Sequence, residues 1–266
     1  MKISLIQSDI VWNCPVANRE HCQELANDAL ASGGSVLVFP EMFTSGFSMP
    51  TGEIARESAQ VGTSFLNVLA IDHKVFALGS LPEIANDGSL YNSAWIATPQ
   101  GSVHTYRKIH LFSYGDETKL YAPGNDMCTF TARNPQGESL RCTVLICYDL
   151  RFAPLFLARA PQTDLFIVMA NWPASRREHW LTLLRARAIE TQSYVAGVNR
   201  VGSGGGLTYS GDSALFAPDG TELGRLADTV GVLTHDVTAS NVASWRASFP
   251  ALRDRKPAVY ARLNEE

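Results

Sequence analysis

The stretch that decides the fold is Val144–Phe152, VLICYDLRF. Val144, Leu145 and Ile146 have the branching and length of a buried strand, which stops abruptly at Cys147 and is followed by Tyr148, Asp149 and Arg151. A thiol is thereby placed at a strand's carboxyl end, where open α/β folds keep their chemistry. Alone, Cys147 is equally a small buried hydrophobe. Two other strand ends change its standing. Ser35–Phe39 (SVLVF) is a continuous apolar run suited to a strand buried on both faces, and it stops at Pro40-Glu41. Ser102–Lys108 closes a hairpin on Lys108, across the turn signal Pro99-Gln100-Gly101 from the strand Leu90–Ala97.

Outward from these three strands, the chain alternates strand with helix. Lys2–Asp9 reads as a strand. Asn13 and Pro15 then open a helix with Cys22, Leu25, Ala26, Ala29 and Leu30 on its apolar face, and Gly33-Gly34 stops it. A loop over Thr44–Gly52 precedes a helix at Thr63–Asp72 and a strand at Lys74–Gly79. Ile109–Asn125 has no period and is expected to be an ordered loop near the site. Strands follow at Met127–Thr131 and Ser139–Ile146, a helix at Pro154–Arg159, a strand at Asp164–Ala170, a long helix at Arg176–Thr191 and a strand at Tyr194–Asn199. Gly202–Gly206 is expected to be a flexible loop, its spacing fitting neither a dinucleotide fingerprint nor a P-loop.

A weak repeat links Ser93-Ala94-Trp95-Ile96-Ala97, before Pro99-Gln100-Gly101, to Ser213-Ala214-Leu215-Phe216-Ala217, before Pro218-Asp219-Gly220. Two similarly built halves, each a sheet covered outside by helices, make an α/β fold: a four-layer α-β-β-α sandwich with pseudo-symmetric halves. One domain is expected over residues 1–266, with 240–266 as a C-terminal tail whose Trp245, Phe249 and Tyr260 pack either on a neighbouring subunit or on their own chain.

The 266 residues are 45% hydrophobic and 18% charged, an ordinary globular composition. A net charge of -4 and the absence of any basic run exclude a phosphate-binding face, so no nucleic-acid partner is expected. With neither a signal-peptide pattern nor a stretch long enough to span a bilayer, the expected setting is the cytoplasm, with no membrane partner. The cysteines at 14, 22, 128, 142 and 147 lack zinc-ligand spacing. Reduced thiols, no metal and no cofactor follow.

A thiol is mostly protonated at neutral pH, so a catalytic cysteine needs a base or nearby positive charge. Glu41 supplies the base. Attack of sulfur on a carbonyl or nitrile carbon develops negative charge, which a fixed ammonium at Lys108 and a backbone N–H can stabilise. His104 and His110 only flank the lysine, and His179 sits on the long helix, which disfavours a cysteine–histidine protease.

Phe39-Pro40-Glu41-Met42-Phe43, Tyr106-Arg107-Lys108-Ile109-His110-Leu111-Phe112 and Cys147-Tyr148-Asp149-Leu150-Arg151-Phe152 resemble, in order, the three signature blocks of the nitrilase superfamily of carbon–nitrogen hydrolases. The similarity runs to about Leu226. More narrowly, Phe43-Thr44-Ser45-Gly46-Phe47, Ala170-Asn171-Trp172-Pro173, His179-Trp180 and Asn199-Arg200-Val201-Gly202 resemble the bacterial omega-amidase branch, which hydrolyses the side-chain amide of 2-oxoglutaramate and similar 2-oxo acids. The resemblance implies Cys147 as nucleophile, Glu41 as general base, Lys108 and the Tyr148 backbone N–H at the oxyanion, and Glu117 as a second carboxylate positioning substrate and lysine. Asp149 and Arg151 are expected to pair and hold the turn after the nucleophile.

A small substrate acid calls for an arginine near the pocket. Arg176 is the candidate, with Arg177 behind it, although both also fit the polar face of the long helix. Phe43, Tyr148 and Trp172 are expected to narrow the cavity. The implied partners are a small amide and, as the superfamily often pairs its sandwiches, a second copy in a homodimer. The alternatives are an N-carbamoyl amino acid amidohydrolase, a nitrilase, or a non-catalytic scaffold with a redox-sensitive thiol.

Overall fold

A computed structural model describes residues 1–263. Two mixed sheets are stacked face to face with helices outside them. The first is built from β1 (Lys2–Gln7), β2 (Val36–Val38), β3 (Phe76–Ile84), β4 (Leu90–Ala97) and β5 (Val103–Arg107). The second is built from β6 (Cys128–Arg133), β7 (Ser139–Ile146), β8 (Leu165–Ala170), β9 (Tyr194–Asn199), β10 (Val201–Gly204), β11 (Leu207–Phe216) and β12 (Glu222–Ala227), before β13 (Gly231–Asp236) returns to pair with β1 in the first sheet.

The expected two halves are visible in the strand directions. β1, β2 and β3 are parallel and β4 and β5 run antiparallel. In the same way β7, β8 and β9 are parallel, followed by antiparallel β11 and β12. The short repeat falls on β4 and β11, the equivalent strands. Helices α1 (Pro15–Ala31) and α2 (Gly52–His73) cross over between the parallel strands of the first half, and α4 (Ala153–Arg159) and α5 (Arg177–Thr191) do so in the second. The short α3 (Glu117–Leu120) lies in the loop before β6, while α6 (Ala239–Ser248) and α7 (Pro257–Leu263) form the tail.

Alternation along the strands sorts side chains between two cores. Leu5, Val36, Val38 and Leu78 face the second sheet, whereas Ile6, Leu37, Phe39 and Ala77 face α1 and α2. Phe76 of β3 stacks on Phe130 of β6, ring centroids 5.8 Å apart, across the inter-sheet layer. On the far side of the second sheet Phe156 of α4 meets Phe166 of β8.

Three local expectations change. α2 begins at Gly52, eleven residues before Thr63, because its first turns carry a solvated polar surface. Gly202–Gly206 is no flexible loop: it is the β10–β11 hairpin, pressed against Trp12 so closely that a Cβ on Gly204 would stand 2.5 Å from the indole. The tail packs on its own chain. Arg246 donates to the carbonyls of Gln192, Ala160, Thr163 and Thr191 and to Ser193 Oγ, and Arg255 donates to Leu157 O. Phe249 and Tyr260 stay exposed and Trp245 is half-buried. Residues 264–266 of the expected tail lie outside the described residues.

Candidate active site

Glu41 and Lys108 lie 67 positions apart in sequence, and Lys108 and Cys147 another 39, yet the three meet at one edge of the stacked sheets. Glu41 follows β2 and Lys108 follows β5 in the first sheet; Cys147 follows β7 in the second. Met42 and Cys147 both hold left-handed backbone conformations, φ 46° and 45°. For residues with a Cβ such angles are strained, and tight packing holds them where the chain must turn out of the sheet and aim a functional group.

Lys108 Nζ donates to Glu41 Oε1 at 2.9 Å and to both oxygens of Glu117 at 2.9 and 3.1 Å, with all three side chains fully buried. Asn92 Nδ2 bridges the two carboxylates, donating to Glu41 Oε1 at 2.8 Å and Glu117 Oε1 at 2.9 Å. Its own Oδ1 accepts from Ser80 Oγ at 2.6 Å, and that hydroxyl accepts from the Met42 N–H. The backbone N–H of Asn171, at the end of β8, donates to Glu41 Oε2 at 2.9 Å. The Phe112 N–H donates to Glu117 Oε2 at 2.6 Å, fixing the loop around α3. Every charge in this cluster is thus paired or hydrogen-bonded, the condition for keeping ions out of water.

The Cys147 thiol lies beside Glu41, Lys108 and the Asn171 backbone, near enough for each to act on its ionisation. Burial, then the charge of Glu41, push the thiol well above its ordinary value of 9.0; Lys108 and the Asn171 N–H oppose this without prevailing. Burial alone would lower Lys108, but Glu117 and Glu41 outweigh it and hold the ammonium above its ordinary 10.5. The resting arrangement is a neutral thiol beside a carboxylate, with a permanent cation behind both. It can deliver sulfur to an electrophilic carbon only as Glu41 takes the proton.

Cys147 opens into a cavity of about 440 Å³, counting its mouth, walled by Phe47, Phe112, Tyr148, Trp172 and Tyr209. The guanidiniums of Arg151 and Arg176 also line it. Arg176 lies 5.6 Å from the Phe112 ring centre and has no carboxylate partner among the described residues. Arg151 stacks on Trp172 at 4.7 Å, its only polar contact among the described residues a 3.3 Å approach to His179.

A sequence model of the family described as carbon-nitrogen hydrolase matches residues 2–247. The chain belongs to this family. Among curated relatives of this carbon–nitrogen hydrolase is the omega-amidase YafV of Escherichia coli strain K12, 38% identical over 96% of each chain. The 2-oxoglutaramate amidase of Bacillus subtilis strain 168 is 29% identical over 97% of this chain and 98% of its own. Among solved structures, XC1258 from Xanthomonas campestris, a CN-hydrolase superfamily protein with an arsenic adduct in its active site, superposes with a TM-score of 0.85. It is 33% identical, covering 96% of this chain and 97% of its own.

In this carbon–nitrogen hydrolase the structure gathers Glu41, Lys108, Cys147 and Glu117 in one cluster, and Tyr148, Trp172 and Arg176 around the adjoining cavity. Phe43 is placed elsewhere. It is fully buried beneath α2, stacked on Phe39 at 5.2 Å, because the turn after Pro40 sends it to the helix side of the sheet; Phe47, four residues on, reaches the cavity instead. Arg177 is held away by Asp212 at 2.8 Å. Asp149 and Arg151 do not pair. Asp149 accepts from Tyr106 Oη, the Ile146 and His110 N–H groups, and contacts His110 Nδ1, so it holds the turn with other partners while Arg151 is left for the cavity. Asn92 and Tyr209 were not singled out from sequence, and Asn171 only as part of Ala170-Asn171-Trp172-Pro173, with no role given. Asn92 carried a signal: an amide in the middle of an otherwise apolar strand needs a buried partner.

Proposed function

We propose that the chain is an omega-amidase, hydrolysing the side-chain amide of 2-oxoglutaramate or 2-oxosuccinamate to the 2-oxo dicarboxylic acid and ammonia. The observation that carries this choice is the unpaired Arg176 guanidinium beside the Cys147 cavity, placed to take the carboxylate of a short acid whose amide end lies at the sulfur. The names of the relatives support it.

In the reaction Glu41 takes the thiol proton as Cys147 Sγ attacks the amide carbon. The oxygen of that carbon becomes negative between Lys108 Nζ and the Tyr148 backbone N–H, which lies in the first turn of the short 3-10 helix starting at Cys147 and is free of intrahelical bonding. Glu41 returns the proton to nitrogen, the carbon–nitrogen bond breaks, ammonia leaves and a thioester remains. Water then gives a proton to Glu41 and its oxygen to the carbonyl carbon, and the thiol is restored when Glu41 hands the proton to sulfur. Glu117 and Asn92 keep Glu41 and Lys108 in register throughout.

Steady-state ammonia release from 2-oxoglutaramate, glutamine, N-carbamoyl amino acids and nitriles tests the reading. 2-Oxoglutaramate is expected to lead; turnover of nitriles or N-carbamoyl amino acids without it would refute the assignment. Within the same proposal the enzyme works in the cytoplasm as a homodimer. The apolar surface of Phe249, Tyr260 and Leu263, 60%, 47% and 58% exposed, supports the pairing. A sedimentation mass equal to the single chain's 29.0 kDa would refute it. No helix among the described residues is long and apolar enough to cross a membrane.

A further inference from the structure

Tyr209 stands in the cavity wall, near the start of β11, with its side chain almost wholly buried and its hydroxyl without a hydrogen-bond partner among the described residues. The hydroxyl is not sealed off, so the ring is packed away while its O–H stays open to the cavity with a donor to spare. It faces the space a substrate would fill. Its ring is held from behind by Arg200, whose guanidinium lies 4.5 Å from the ring centre. Arg200 is itself fixed by Asp9 at 2.9 Å, Ser203 O at 3.0 Å and Val201 O at 3.1 Å. The hairpin glycines allow this: Gly204 and Gly205 let Trp12 close over the same guanidinium.

We propose that Tyr209 recognises the 2-oxo group of the substrate, donating its O–H to the 2-oxo oxygen while Arg176 takes the adjacent carboxylate and the surrounding guanidiniums turn away a 2-ammonium. This rests on the omega-amidase reading and adds to it the group that recognises carbon 2. A 2-oxo oxygen only accepts hydrogen bonds, and Tyr209 offers a donor. An α-ammonium only donates and carries positive charge. Around the cavity it would meet Arg151 and Arg176, with Arg200 behind Tyr209, whereas the carboxylates Glu41 and Glu117 are already engaged by Lys108 and Asn92. Burial foremost pushes the phenol up to about 12, so the O–H stays a neutral donor at any pH where the enzyme works.

The test compares kcat/KM of the parent and Tyr209→Phe on 2-oxoglutaramate, on the monoamide of glutaric acid, which keeps the carboxylate and lacks the 2-oxo group, and on glutamine. The parent is expected to prefer 2-oxoglutaramate over both others. In Tyr209→Phe the value for 2-oxoglutaramate falls about tenfold, the worth of one neutral hydrogen bond, and that for the monoamide is unchanged. The readout is a ratio between substrates on one preparation, so partial unfolding of the variant cancels. Equal losses on both substrates, or no loss on 2-oxoglutaramate, would overturn the role of Tyr209. A parent that hydrolyses the monoamide as fast as 2-oxoglutaramate would overturn it too, leaving the amidase reading standing. A parent inactive on all three would defeat the omega-amidase reading and this proposal with it.

Discussion

Replacing Lys108 by Met removes the one cation between two buried carboxylates while keeping most of the side chain's volume. Lys108 Nζ is 2.9 Å from Glu41 Oε1 and 2.9 Å from Glu117 Oε2. At an effective dielectric near 20 each contact is worth about 6 kcal/mol of attraction, most of it offset by the loss of water. What the substitution costs is set by the charges it strands, and breaking one such buried pair typically costs about 3–5 kcal/mol. Lys108→Met is therefore expected to lose about 3–5 kcal/mol in urea unfolding, a large part of a typical domain's stability. Adding Glu117→Gln takes away one stranded charge and is expected to recover about half of that loss, because Glu41 keeps the Asn92 and Asn171 donors. Activity should not follow stability. Without a cation at the oxyanion, ammonia release drops by about 10²–10³-fold or more in both variants. A Lys108→Met protein within about 1 kcal/mol of the parent would refute the buried-charge reasoning. A double variant that regained both stability and turnover would refute the oxyanion role.

Cys147→Ala and Cys147→Ser are expected to lower ammonia release by several orders of magnitude with an unchanged circular dichroism spectrum, and retained turnover in either would remove Cys147 as nucleophile. Arg176→Met should raise KM for 2-oxoglutaramate by about 10–100-fold, the loss of a charge-assisted bond, and leave small neutral amides unaffected; an equal rise for neutral amides would point to a collapsed cavity. Iodoacetamide should modify Cys147 at a rate nearly flat between pH 7 and 9, since the raised thiol reacts through Glu41, whereas a rate climbing steadily with pH would mark a thiol that ionises without help from Glu41. The Lys108 ammonium, raised in the folded state, lends stability that is fully present below its ordinary 10.5 and is lost only as pH rises through the higher folded value. No basic limb from Lys108 is therefore expected in kcat/KM below about pH 10; one centred there would contradict the buried pairing.

The sheets and the catalytic cluster were legible because their signals are local. Val144–Ile146 and Val36–Val38 are apolar runs ended by turn chemistry, and the groups that follow them are the thiol and carboxylate. Residues whose place depends on a distant contact were not legible. Phe43 and Phe47 are both aromatics after Glu41, and only the reversal at Met42 decides which one meets the cavity. Gly202–Gly206 looked mobile because the reason for its glycines is Trp12, nearly 200 positions away. Arg151 was paired with Asp149 by proximity in sequence, but that carboxylate is saturated by Tyr106, His110 and the Ile146 N–H. The first turns of α2 are polar enough to look like loop, and their helical bonding rests on packing only a narrow face.

The pseudo-symmetry explains why the site is assembled from both halves rather than owned by either. β2 and β8 are the middle parallel strands of the two sheets, and the residues that leave them are Glu41 and Asn171. These two residues bond to each other twice, the Asn171 N–H to Glu41 Oε2 and the Asn171 side chain to the Glu41 carbonyl. Glu41, Lys108, Glu117 and Asn92 come with the first half, Cys147, Asn171 and Trp172 with the second, and the thiol reaches its base only where the sheets stack. The separation of sulfur and carboxylate is therefore set by how the sheets pack, through inter-sheet contacts such as Phe76 on Phe130, together with the Asn171–Glu41 bonds. Interiors packed at crystal-like density do not deform continuously, so the geometry of proton transfer inherits the stiffness of the core.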